Sequence, residues 1–117
     1  MSENKKLRMV NTVVEEDACR AHKITIENPR AVVLDDIRLK VTGRIRSTSA
    51  IYDEVSCVIA VETKEGDILT SKSTEVKYSA YIGIWDVDFY VSDIKQCCGG
   101  ALELIDHVSI IPLIRYR

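Results

Sequence analysis

The stretch from Ile37 to Ser47 constrains this chain more than any other. Ile37, Leu39, Val41 and Ile45 share one parity with Gly43 in phase, and Arg38, Lys40, Thr42, Arg44 and Arg46 share the other. A period of two sends successive side chains to opposite faces of a pleated strand. The segment therefore reads as a half-buried strand with a charged outer face, ending at Ser47-Thr48-Ser49. A second stripe, Trp85, Val87, Phe89 and Val91, alternates with Asp86, Asp88, Tyr90 and Ser92. Trp85 is expected at the centre of the core. Composition agrees: 14 Ile, 13 Val and 7 Thr stand against 7 Leu and 7 Ala. Side chains branched at Cβ lose freedom in helices and pack well on pleated surfaces.

The remaining segments fill in around these two stripes. Ile24 and Ile26 alternate with Thr25 and Glu27, and Asn28-Pro29 is expected to end that strand, because proline lacks a ladder donor. Val55, Cys57, Ile59 and Val61 alternate with Glu54, Ser56, Val58 and Ala60, whose two apolar members predict partial cover on both faces. Lys64-Glu65-Gly66-Asp67 reads as a hairpin loop with the glycine at positive φ. Ile68 to about Tyr78 is polar and carries Lys72 and Lys77, as edge strands do. Ser92-Asp93-Ile94-Lys95 suits one helical turn, Cys97-Cys98-Gly99-Gly100 a loop, and Leu102 to Leu113 a last strand stopped by Pro112. Leu7, Val10, Val14, Ala18 and Ala21 recur every three or four residues, as on a helix face, whereas Val10 to Val14 equally suits an edge strand.

Together these predict an all-β chain: an antiparallel immunoglobulin-like β-sandwich of about seven strands with a short N-terminal helix as an option. Residues 1–22 form an N-terminal extension and 23–117 the sandwich. Val41-Thr42-Gly43-Arg44-Ile45-Arg46-Ser47, then Val58 to Val61, then Lys64-Glu65-Gly66-Asp67-Ile68-Leu69 resemble the bacterial FxLYD-type immunoglobulin-like domain over residues 37–91. At the positions of the family's aromatic and Leu-Tyr-Asp signature this chain departs from the pattern, carrying Ile59-Ala60-Val61-Glu62-Thr63 instead. The resemblance implies a non-catalytic module, often part of a cell-envelope protein.

Charge and length bound the function. A net charge of −2 gives no global field toward nucleic acid or anionic lipid, and no such partner is expected. No apolar run exceeds five residues, against about 20 for a membrane helix. The start, Met1-Ser2-Glu3-Asn4-Lys5-Lys6, is followed by no apolar h-region, so a cytoplasmic location is expected, with the cell envelope as the alternative for an incomplete precursor. The four cysteines, at 19, 57, 97 and 98, are then expected as free thiols.

Four groups of residues compete as sites. Arg38, Lys40, Arg44 and Arg46 line one strand face and suit an acidic partner or a nucleic-acid backbone, or else form a solvated face or pair with the Asp86/Asp88 face. Cys19-x-x-His22 with Cys97 and Cys98 supplies a Cys3His set for a metal, although no Cys-x-x-Cys pair exists. Cys97-Cys98 alone suits a vicinal redox pair or two unconnected thiols. Asp86 and Asp88, with Asp93 nearby, are carboxylates on a regular strand without a calcium loop. His22 and His107 belong to no nucleophile motif, and no Gly-Xaa-Ser-Xaa-Gly elbow or phosphate-cradling glycine run exists. The expectation is a non-enzymatic interaction module, without a cofactor, that binds a protein partner or another copy of itself. A ligand- or metal-binding domain at the Cys97-Cys98 loop is the alternative, and no small-molecule substrate is evident.

Overall fold

The computed structural model describes residues 7–34, 38–47, 54–79, 81–90 and 104–115. Its elements are β1 (Leu7–Val14), α1 (Glu16–His22), β2 (Ile24–Leu34), β3 (Arg38–Ser47), β4 (Glu54–Glu62), β5 (Ile68–Glu75), β6 (Lys77–Ser79), β7 (Ile82–Tyr90) and β8 (His107–Arg115). The strands lie in the order β5-β4-β8-β1-β2-β3-β7-β6. Every neighbouring pair is antiparallel except β1 and β8, which run parallel.

Two strands change partner, and these changes bend the sheet. Leu7–Val10 of β1 pair with β2, whereas Asn11–Val14 pair with β8. At the other corner β5 and β6 stand at opposite ends of the strand order, yet only Val76 separates them in the chain. The chain thus leaves one edge of the sheet and enters the other, and the sheet curls into a nearly closed barrel. Buried Val76 fixes this corner by donating its N–H to the Val55 carbonyl at 2.9 Å. Strands that switch partners make the corners of orthogonally packed sheets. The all-β expectation holds. The antiparallel sandwich is corrected to one mixed, nearly closed sheet, because the first and last strands lie side by side.

The inward parity builds one core. Val10, Ala31, Val33, Leu39, Val41, Ile45, Trp85 and Phe89 meet Val55, Cys57, Ile59, Val61, Val108 and Ile110 inside it. Both stripes singled out in the sequence point inward: Leu39, Val41, Ile45 and Phe89 are fully enclosed, and Trp85 is 4% exposed. Ile37 and Val91 lie outside the described residues. Ala60 is also buried and Val58 half-buried, as the double apolar face of β4 implied.

Several local expectations are revised. Leu7 to Val14 is a strand that stands between β8 and β2 in the sheet order, each half paired on one side only, so the strand reading of Val10 to Val14 describes it and the long helix does not. Branched Val10, Thr12, Val13 and Val14 favour the sheet, and helix begins only at Glu16. β1, the strand of the expected extension, is therefore built into the barrel wall, and α1 leads from it to β2. In α1, Glu16 and Asp17 occupy the first turn and Arg20 and His22 the last, in keeping with the helix dipole. Lys23 closes the helix in the left-handed region, at φ 57°.

Neither proline ends its strand. β2 passes Asn28-Pro29 through a bulge, its register jumping from Glu27↔Arg44 to Arg30↔Thr42. β8 runs through Pro112, which sits opposite Cys57 of β4. The Ile110 carbonyl accepts the Glu15 N–H, so by strand parity the Pro112 nitrogen faces that same side, beyond the end of β1. No ladder bond is lost there. The hairpin at Lys64 to Asp67 forms as read: Gly66 has φ +91°, and Thr63 and Asp67 close it at 2.9 Å.

Candidate binding face

The outward parity of β2, β3 and β7 carries the charged residues. Arg38 Nη1 stands 3.7 Å from Asp88 Oδ1, and Lys40 Nζ 3.2 Å from Asp86 Oδ2. Arg44 and Arg46 share Glu27, at 3.4 and 2.9 Å. The register explains the arrangement, because β3 lies between β2 and β7 with Lys40 opposite Asp88 and Arg44 opposite Glu27. Each of the four basic residues picked from the sequence thus meets a carboxylate. Their predicted pairing with Asp86 and Asp88 is realised for Arg38 and Lys40. Pairs exposed to this degree contribute about 0–1 kcal/mol each. Their main effect is to offset most of what would otherwise be a cationic stripe, three carboxylates standing against four basic groups. Asp88 Oδ1 is buried and accepts no hydrogen bond among the described residues, since the Arg38 contact is too long for one.

Arg30 differs from these four. It projects from the same face just after the bulge, in register with Thr42, and is in no ion pair among the described residues. A shallow depression of about 430 Å³ lies beside it, bordered by Glu27, Thr42, Arg44 and Asp86. Trp85 and exposed Ile84 complete it, and both also border a second depression of about 390 Å³ with Thr74, Glu75 and Lys77. The sequence reading missed Arg30 because it ended β2 at Pro29. Continuing the alternation past the bulge would have placed Arg30 beside Thr42.

The seam of the barrel runs between β5 and β7. Lys72 of β5 reaches across it, donating to the Asp88 backbone carbonyl at 2.6 Å with its ammonium 5.3 Å from the centre of the Phe89 ring. A side chain thereby joins two strands whose backbones are not paired.

A second polar group occupies the outer face of β4 and β8. His107 Nδ1 lies 2.9 Å from Asp106 and its Nε2 3.5 Å from Glu62, and the Ser109 hydroxyl donates to Glu62. Ser109 therefore meets a carboxylate rather than the imidazole, unlike the nucleophile–base contact of hydrolases. The pairing Glu62↔His107 makes this group legible only once the register is known.

The cysteines are separated by placement. Cys97, Cys98 and Asp93 lie outside the described residues. Cys19 projects from α1 into the core and His22, half-buried, ends the helix. Burial pushes the Cys19 thiol up, Glu16 and Glu15 reinforce this, and a backbone hydrogen bond at Ile26 opposes it. Burial and the nearby Cys19 push Cys57 up to about 12. A metal needs thiolate, so these environments are poor donors. No group of three or more metal-ligating side chains occurs among the described residues.

Exposed apolar side chains concentrate on β1. Its outward positions Leu7, Met9 and Val13 are 64%, 62% and 50% exposed. Leu34 and Val32 of β2, half-buried, lie directly beside Leu7 and Met9. No helix of the described residues is long and apolar enough to cross a membrane. Comparison with protein-family models, curated proteins and solved structures found no match.

Proposed function

We propose that this chain is a non-catalytic interaction module that binds a protein partner, or another copy of itself, through the outer surface of β1. The exposure of Leu7, Met9 and Val13 on a strand flanked by β2 and β8 carries the reading. Scattered exposed apolar residues are ordinary, but a row of them on one strand, continued by Val32 and Leu34, is the composition of a contact surface. The largely neutralised face of β3 supports a contact that does not depend on net charge.

Sedimentation of the full chain at micromolar concentration, alone and with captured partners, tests this against Leu7→Lys/Met9→Lys. The expected result is a self-associated species or a retained partner that the double variant loses while keeping its far-UV spectrum. A strict monomer retaining the same proteins as the double variant would overturn it.

A further inference from the structure

We infer that the depression beside Arg30 is a binding site for a carboxylate carried on an apolar body. Three independent observations meet there. The first is the bulge: between Glu27↔Arg44 and Arg30↔Thr42 the chain sets Asn28 and Pro29 against Gly43 alone, one residue extra, and Asn28 takes φ 49°. Bulges re-aim side chains and concentrate beside sites, and here one sets Glu27 toward Arg44 and Arg46 and leaves Arg30 on the rim. The second is the charge arrangement. Glu27 is held by two arginines and Asp86 by Lys40, so neither neutralises Arg30. The third is the concavity of about 430 Å³, whose exposed apolar side chain is Ile84, with nearly buried Trp85 also on its border.

The chemistry of the ligand follows. A guanidinium presents a planar fork that matches a carboxylate, and the Thr42 hydroxyl lies in the same row as a further donor. The site thus suits a carboxylate with an alkyl or aryl group over Ile84, an apolar body that phosphate lacks. A free amphipathic acid and a glutamate beside an apolar residue in a partner peptide share this chemistry.

Trp85 is the only tryptophan, so its fluorescence reports on the depression directly. Phenylacetate and the blocked peptide acetyl-Phe-Glu-amide are titrated into the full chain, with phenylacetamide, acetyl-Phe-Gln-amide and inorganic phosphate as controls. A saturable signal with at least one acid is expected, about tenfold weaker for its amide and for Arg30→Gln, with Arg30→Lys intermediate. The stronger of the two acids identifies the source. Arg30 is exposed, so its variants are expected to keep the native far-UV spectrum. Absence of saturation with both acids overturns the inference, as does equal affinity for the amides, for phosphate, or by Arg30→Gln. Arg30 lies on β2, the strand beside β1, but Arg30→Gln leaves Leu7 and Met9 in place and Leu7→Lys/Met9→Lys leaves Arg30 in place, so the two sets of outcomes are read on separate variants.

Discussion

Gly43 and Trp85 are register partners across β3 and β7, and a Cβ on Gly43 would lie 2.2 Å from the indole Cη2. The indole lies across the space that any other residue's side chain would fill. Gly43→Ala is therefore expected to destabilise the barrel by about 1–3 kcal/mol through overpacking. Urea unfolding measures it, and Trp85→Leu in the same background is expected to recover part of the loss. Additive costs for the two substitutions would disprove the contact.

Lys72 is expected to hold the seam through its ammonium. Lys72→Met keeps the stem but loses the bond to the Asp88 carbonyl and the contact over Phe89. A loss of about 0.5–2 kcal/mol is expected, with faster amide exchange along β7 from Asp86 to Tyr90. Unchanged exchange there would show that the seam does not depend on Lys72.

The thiols give a pH dependence of known sign. Folding raises Cys57 from 9.0 to about 12, so the native state holds a proton that the unfolded chain releases first. The stabilisation is complete below pH 9.0 and is lost between there and about 12, at up to about 1.4 kcal/mol per pH unit. Cys19 shifts in the same direction. Denaturant unfolding at several alkaline pH values should show this slope shrinking in Cys57→Ala, whatever that variant's absolute stability.

Lys23 adopts φ 57° at the end of α1, a conformation that costs a side chain about 1 kcal/mol and glycine very little. Lys23→Gly is expected to raise the thermal midpoint, with a gain of about 0.5–1 kcal/mol. A lower midpoint would mean that the Lys23 side chain contributes more than its backbone costs.

The ion-paired face is expected to be silent toward polyanions as it stands. Glu27→Gln/Asp86→Asn removes the partners of Arg44, Arg46 and Lys40. The double variant should bind a heparin column more tightly than the native chain while losing about 1 kcal/mol or less of stability. Equal elution would show that these carboxylates do not mask the basic residues.

The inward stripes were legible because each strand's own period fixes which side chains share a face. Leu39, Val41, Trp85 and Phe89 needed no neighbours to be placed in the core. What stayed hidden depends on pairing between distant segments. The helical spacing from Leu7 to Ala21 combined a strand and a helix that happen to be continuous in phase. Pro29 and Pro112 read as stops because the sequence does not show which side of a strand lacks a partner. The same blindness hid Arg30, displaced across a bulge, and His107, whose carboxylate partner Glu62 lies on another strand. The basic stripe was visible residue by residue, but its neutralisation by Glu27 required the β2–β3 register.

The side-by-side placement of β1 and β8 also sets the order of assembly. β8 is the last described strand to be synthesised, yet it fills the gap between β1 and β4. Until it leaves the ribosome, Asn11–Val14 and the whole of β4 present open rims to any passing chain. A nascent polypeptide of this kind cannot finish folding from its front end. It must wait for β8 to lock the wall, and a product truncated ahead of His107 is expected to aggregate rather than persist as a smaller barrel.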